Sequence, residues 1–230
     1  MTITTRTLSR TTAAAAVLAG LTFIAVQIGH PHLDVTSVDT TEWVIRNTAK
    51  MAFAALALTG ITGMYLRQVK EMGVLGFVSY VLLSTGYLLI VSTAFVAGYV
   101  LPSLAETDPD YVNGVLAVAG GGPASSDIGL MQYALAAEGI TYLAGGLLFG
   151  VALFRARVLS RWGAALLAVG ALFTVSLSVL PENFYRLLAY PNALALIVLG
   201  YSLWRASERP GSRDESADGP SESRHRLTVS

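Results

Sequence analysis

The residue with the clearest chemical potential is Glu138, a carboxylate inside an apolar run that extends over residues 129–154. A run of this length predicts a membrane-spanning helix, since about 20 residues at 1.5 Å each cross a hydrocarbon core of about 30 Å. A charged carboxylate near the centre of such a helix costs about 3 kcal/mol or more. We therefore expect Glu138 to be paired, to face the interior of a bundle, or to act in proton transfer or ligand binding.

Basic residues that could pair with Glu138 occur in another apolar run, residues 43–66. Arg46 and Lys50 follow Glu42 at i+4 and i+8, so the three side chains share one helical face. At 1.5 Å per residue, Lys50 lies about 10 Å and Glu138 about 14 Å below the outer ends of their helices. We predict that Glu138 pairs with Lys50 or Arg46. Alternatively, Glu138 is a structural, hydrogen-bonded carboxyl, and Arg46 extends outward to the interface.

Further residues are expected to complete this site. Tyr142 and Gly139 lie beside Glu138 on the same predicted helix, and the glycine leaves room next to the carboxylate. A polar turn between the last two apolar runs contains Glu182 and Arg186, which form either the rim of the pocket or an ordinary interfacial turn. If the protein is an enzyme, Glu138 is the expected proton donor. The predicted ligand-binding residues are Glu138, Lys50, Arg46, Tyr142, Glu182 and Arg186.

No metal or cofactor site is predicted. His30, His32 and Asp34 supply at most part of a metal site, because about three well-placed protein ligands are normally required. The loop acids lack the spacing of a calcium-binding loop, and the chain has no phosphate-binding loop, dinucleotide fingerprint or HExxH motif. The absence of cysteine excludes thiolate chemistry, disulfides and cysteine-ligated metal centres.

The composition indicates an integral membrane protein. Of the 230 residues, 53% are hydrophobic and 13% are charged, and the mean hydropathy is +0.58. The formal charge is zero, and the basic residues lie between apolar runs rather than in one patch, so no nucleic-acid partner is expected.

Six apolar runs predict an all-α, polytopic transmembrane bundle. We expect a polar cytoplasmic segment at residues 1–10, the six-helix domain at 11–204, and a disordered cytoplasmic tail at 205–230. A cleaved signal peptide is the alternative for the first run. The connection 101–128 is expected either to cap the bundle, to lie at the interface, or to be flexible. The predicted spans are residues 11–29, 43–66, 73–100, 129–154, 162–180 and 187–204.

Charge asymmetry predicts the orientation. Segments 1–10, 67–71, 155–161 and 205–226 hold nearly all lysines and arginines, whereas 30–42 and 101–128 hold none. Because cytoplasmic loops carry the excess of basic residues, both termini are expected to be cytoplasmic in a multi-pass plasma-membrane protein. Glycines 146 and 150 in the fourth span form a small-xxx-small pair, which predicts close helix packing within the chain.

The stretches SRWGAALLAVGALF and LLAYPNALALIVLGYSLWR, together with the arginine-containing start and the six-span layout, resemble small bacterial membrane proteins catalogued as a domain of unknown function. The resemblance implies a six-helix bundle in the bacterial plasma membrane and no established activity. At one point the chain departs from the expected pattern, because its last span has Pro-Asn where a carboxylate is expected.

Three functional hypotheses follow from the sequence. The first is a charged, outward-facing intramembrane pocket that binds or moves a membrane lipid or small amphiphile. The second is a membrane-embedded acid–base enzyme, of the isoprenoid cyclase or isomerase type, that uses Glu138 as proton donor. The third is an accessory subunit without a site of its own, which acts through a membrane-protein partner or a homo-oligomer.

Overall fold

In the computed structural model, every regular element is a helix within the described residues, which are 4–29, 32–178 and 187–208. This confirms the all-α prediction for that part of the chain. Residues 209–230 of the predicted tail, and the turn that contains Glu182 and Arg186, lie outside the described residues.

Five helices in the described ranges are long and apolar enough to cross a membrane, at the positions of five of the six predicted spans. Helix α1 begins six residues before the predicted span, within the polar segment 1–10, where Thr4 caps it by accepting a hydrogen bond from the backbone N–H of Thr7. The five are α1 (Thr5–Gln27), α3 (Thr41–Arg67), the continuous Val69–Leu104 segment, α7 (Met131–Ala156) and the final Leu187–Glu208 segment.

Two of these helical segments combine several elements. Val69–Leu104 consists of α4 (Val69–Phe95), a π-helical turn (Val96–Val100) and α5 (Leu101–Leu104). The last segment consists of a 3-10 turn (Leu187–Ala189) and α9 (Tyr190–Glu208).

The predicted fifth span, residues 162–180, is shorter in the structure. Helix α8 covers Arg161–Leu172, and a 3-10 helix follows over Phe173–Ser178. The Thr174 hydroxyl donates to the backbone carbonyl of Ala171 at 2.7 Å, a local bond of the kind that competes with regular helix pairing. The described part of this element is therefore a short apolar helix rather than one of membrane length.

The five helices of membrane length and the shorter α8 form a closed ring in which each of the six packs on the next one along the chain. Helix α1 packs on α3, α3 on α4, α4 on α7, α7 on α8 and α8 on α9. The contact between α9 and α1 closes the ring. Such an arrangement leaves an interior that side chains either fill or line.

Small residues allow close helix packing in the half of the ring that contains the arginine-bearing ends of α3 and α7. A Cβ atom added at Gly60 would lie 2.7 Å from Cβ of Ala16, and one at Gly150 would lie 2.6 Å from the backbone nitrogen of Ala168. Gly146 likewise packs against Ala171, so the predicted small-xxx-small pair does pack within the chain. Neighbouring helices therefore approach each other closely here, and buried side chains, among them Phe149 and Leu153, fill the interior.

The other half of the ring is covered by the connection 101–128, which folds as a cap. Helix α6 (Pro109–Ala119) begins where the Asp108 side chain accepts a hydrogen bond from the backbone N–H of Tyr111. The cap also contacts the short helix α2 (Val35–Val38) and α7. Its apolar core, a cluster separate from that of the bundle, contains Val38, Trp43, Leu101, Val112, Val115, Leu116 and Ile128.

Candidate functional site

Glu138 lies in the second turn of α7 and points toward α4. Its Oε2 accepts a hydrogen bond of 2.5 Å from the hydroxyl of Thr93. The two residues belong to helices that pack along much of their length, so the bond bridges a main seam of the bundle. Sequence reasoning missed Thr93, because it is one of several hydroxyl-bearing residues in the apolar span 73–100 and nothing in the sequence distinguishes it from the others.

Lys50 of α3 and Glu138 of α7 line the same two cavities. The structure thus places both residues at one site, and the ion pair between them stays a prediction.

Arg46, the other suggested partner, has different contacts. Its guanidinium donates to Oε1 of Glu42, with an Nη2 to Oε1 distance of 2.6 Å. It also donates to the backbone carbonyls of Val26 at 3.0 Å and Gly29 at 2.8 Å, at the end of α1. Because these acceptors hold Arg46 near the outer helix ends, its predicted pairing with Glu138 is wrong, and the outward-directed alternative fits the structure.

The larger cavity, here called the cap-side cavity, has a volume of about 460 Å³ and lies beneath α6. Its wall is mainly apolar. Trp43 is one of the lining residues, and its indole N–H donates to the carbonyl of Ala97 at 2.7 Å, so its polar atom is satisfied by the backbone. Other apolar lining residues are Leu33, Leu101, Val115, Leu116, Val118, Met131, Leu135 and Leu143.

The smaller cavity, here called the inner cavity, has a volume of about 290 Å³, and polar side chains such as Gln27, Tyr142 and Asn192 are part of its mainly apolar lining. Tyr142 and Asn192 both line it, and the Asn192 side-chain nitrogen donates to the Tyr142 hydroxyl at 3.3 Å. This places Tyr142 at the predicted site and adds Asn192, whose site role the sequence did not reveal. The aromatic part of the wall consists of Phe23, Phe53 and Phe173.

The wall shared by the two cavities contains the chemically distinctive groups. Lys50, Glu138 and Gly139 line both spaces, together with Ile90 and Thr174. A Cβ atom added at Gly139 would meet nothing within 4 Å, so the room that the sequence predicted beside the carboxylate is present. The shared wall thus combines a hydrogen-bond acceptor, Glu138, a donor, Lys50, and the open space beside Gly139.

In the described part of segment 30–42, Asp34 has a capping role. His30 lies outside the described residues, and no group of three or more potential metal ligands occurs in the described ranges. Asp34 instead caps α2, accepting hydrogen bonds from the Thr36 hydroxyl at 2.7 Å and the Ser37 backbone N–H at 2.8 Å. These two bonds hold the pKa of the Asp34 carboxyl below its ordinary value.

Comparison of the chain with known proteins finds no match to a protein family, to a curated protein or to a solved structure. The resemblance to small bacterial membrane proteins therefore stays a prediction, and the functional conclusion depends on the geometry of the two cavities.

Proposed function

We propose that the protein is a six-span integral membrane protein of the plasma membrane with both termini in the cytoplasm. The support is the agreement between five helices of membrane length, the shorter apolar helix α8 between two of them, and the charge pattern. Basic side chains collect at one end of the ring, whereas the outer loops 30–42 and 101–128 contain no lysine or arginine.

Single cysteines test this topology without background, because the natural chain has none. The Glu106→Cys variant should react with a membrane-impermeant maleimide on intact cells. The Thr2→Cys, Lys70→Cys and Ser216→Cys variants should react only after lysis. Labelling of the two terminal positions on opposite sides of the membrane would contradict an even number of spans.

The activity proposed for this bundle is the binding of a membrane lipid or small amphiphile. The observation that carries the proposal is the wall between the two cavities, where Lys50 and Glu138 lie at the junction of two mainly apolar spaces. Ligand pockets typically measure about 300–1,000 Å³, with mostly apolar walls and a few placed polar groups. The cavities match that description in size and in the character of their lining.

Binding is favoured over movement across the membrane by the packing of the opposite half of the ring. There, the side chains of Met64, Phe149 and Leu153 are fully or almost fully buried and fill the interior of the bundle. A ligand thus has space in the capped half of the bundle, whereas the described residues of the other half offer no path across the membrane.

The test variant Gly139→Leu adds bulk at Gly139, which lines both cavities and where an added Cβ would meet nothing within 4 Å. The control variant Ala55→Leu adds the same side chain at a position on α3 that is exposed, as Gly139 is, but is not among the lining residues of either cavity. Native mass spectrometry of the purified full chain should detect a copurifying amphiphile in the wild type and in Ala55→Leu, and lose it in Gly139→Leu. Equal retention in all three proteins, or in none, would contradict binding in these cavities.

A second candidate is acid–base catalysis on an isoprenoid, favoured by the presence of Glu138 and Tyr142 on successive turns of one cavity wall. A carboxyl beside an apolar chamber is a suitable proton donor for such chemistry. Product formation from an added isoprenoid by the wild type, and its loss in a folded Glu138→Gln variant, would support this activity. An unchanged isoprenoid in the presence of wild type would count against it.

A further inference from the structure

The net charge of the two cavities limits what they accept. Among the described residues that line them, Lys50 and Glu138 are the only charged side chains. Their charges sum to zero whether the proton resides on the amine or has passed to the carboxylate.

We propose, on the basis of the amphiphile-binding function above, that the bound ligand carries no net charge and has a head group that both donates and accepts hydrogen bonds, such as a hydroxyl. A head group with a net charge would bring an unbalanced charge into a mainly apolar cavity, where charges without a counter-charge are strongly disfavoured. A hydroxyl adds no charge, donates to the Glu138 carboxylate and accepts from the Lys50 amine. This places a long-chain alcohol, or a lipid with a hydroxyl head, in the site.

The lining also orients such a ligand. The cap-side cavity is larger and is lined mainly by aliphatic side chains, so it suits the hydrocarbon chain. Polar side chains concentrate at the shared wall and in the inner cavity, where Tyr142 and Asn192 lie near each other. The hydroxyl is thus expected beside Lys50 and Glu138, with the chain extending under α6.

Three probes of equal chain length distinguish the head groups: 1-dodecanol, dodecyl sulfate and dodecylamine. The full-length protein is reconstituted in nanodiscs that contain each probe at the same mole fraction at pH 7, and occupancy is read by native mass spectrometry. We expect 1-dodecanol to occupy the wild-type protein about tenfold or more above either ionic probe, because only the ionic probes leave an uncompensated charge. Higher occupancy by dodecyl sulfate or dodecylamine would overturn the inference.

Variants of the charged pair should change the preference in opposite directions. Lys50→Gln leaves an unbalanced carboxylate and should raise dodecylamine occupancy relative to 1-dodecanol. Glu138→Gln leaves an unbalanced cation and should raise dodecyl sulfate occupancy instead. The doubly exchanged Lys50→Glu/Glu138→Lys protein keeps the net charge at zero, so its preference for 1-dodecanol should persist. A preference that is the same in all four proteins would also overturn the inference.

The same measurements separate this inference from the proposed function. Binding of an ionic probe that Gly139→Leu abolishes would refute the uncharged head group and leave amphiphile binding standing. Absence of every probe from the wild type, with no copurifying amphiphile, would refute both. The wild-type protein serves for these comparisons, so the inference is testable even where a charge variant does not fold.

Discussion

The Thr93 hydroxyl of α4 donates a 2.5 Å hydrogen bond to Oε2 of Glu138 on α7. The bond joins two neighbouring helices of the ring at the level where the cap-side and inner cavities meet. It fixes one side of a carboxylate that lines both cavities together with Lys50, which comes from a third helix, α3. The site around Glu138 therefore depends on three elements of the chain.

Removal of the Thr93 hydroxyl should release this carboxylate. The Thr93→Val variant keeps the side-chain shape but has no donor, so we expect a loss of about 1–3 kcal/mol in the free energy of unfolding and weaker retention of the amphiphile. Thr93→Ser restores the donor and should recover most of both quantities. Thermal unfolding and native mass spectrometry of the purified proteins measure them. Equal behaviour of the valine and serine variants would show that the hydrogen bond contributes little.

Two glycines of α7 should respond oppositely to the same change. In Gly145→Ala, the new Cβ would lie under 3.0 Å from the Leu83 backbone, so α4 and α7 must separate and stability should fall by about 1–3 kcal/mol. In Gly139→Ala, the new Cβ meets nothing within 4 Å, and the better helix former should leave stability unchanged or raise it by up to about 1 kcal/mol. Thermal unfolding of the two variants in one detergent provides the comparison. A stability loss at Gly139 equal to that at Gly145 would contradict the open space beside Glu138.

Substitutions of Arg46 and Lys50 should affect different properties, the first stability and the second ligand binding. Arg46→Met removes the donors to Val26 and Gly29 and should destabilise the end of α1, with a cost of about 1–3 kcal/mol, while amphiphile retention by the folded fraction stays unchanged. Lys50→Met should lower retention, because it removes a charged group from both cavity walls. Thermal unfolding combined with native mass spectrometry distinguishes the two effects. Loss of ligand in Arg46→Met at full folding would assign Arg46 to the site after all.

The cap of α2 should respond to acid through Asp34. Hydrogen bonds from Thr36 and Ser37 lower the pKa of this carboxyl in the folded protein, so the folded state binds its proton less readily than the unfolded state does. The resulting stabilisation is present above the unfolded-state pKa and is lost as the pH falls through the folded-state pKa. Asp34→Ala should therefore reduce the difference in melting temperature between neutral and acidic pH. An unchanged difference would show that the cap does not contribute to acid sensitivity.

The local features of the protein were determined by the sequence. Runs of apolar residues predicted the helices α1, α3, α4, α7 and α9, because about 20 such residues satisfy their backbone hydrogen bonds within one helix and match the membrane thickness. The contact between Glu42 and Arg46 has the same origin, since residues four apart meet on a helix surface. Two helix ends differ from the predicted spans. The Thr174 hydroxyl bonds the carbonyl of Ala171 where α8 ends earlier than predicted. The Thr4 cap starts α1 earlier than predicted.

The site itself was decided by tertiary structure. The sequence offered Lys50 and Arg46 as partners of Glu138, with only Lys50 matched to it in depth. The contacts of Arg46 were decided by how α1 ends, because Val26 and Gly29 provide the carbonyls that bind it. Thr93 and Asn192 reach the cavities only because the ring places α4 and α9 beside the interior face of α7 and its neighbours. Helical periodicity specifies which side chains share a face of one helix, whereas the packing of small residues between helices specifies which faces meet.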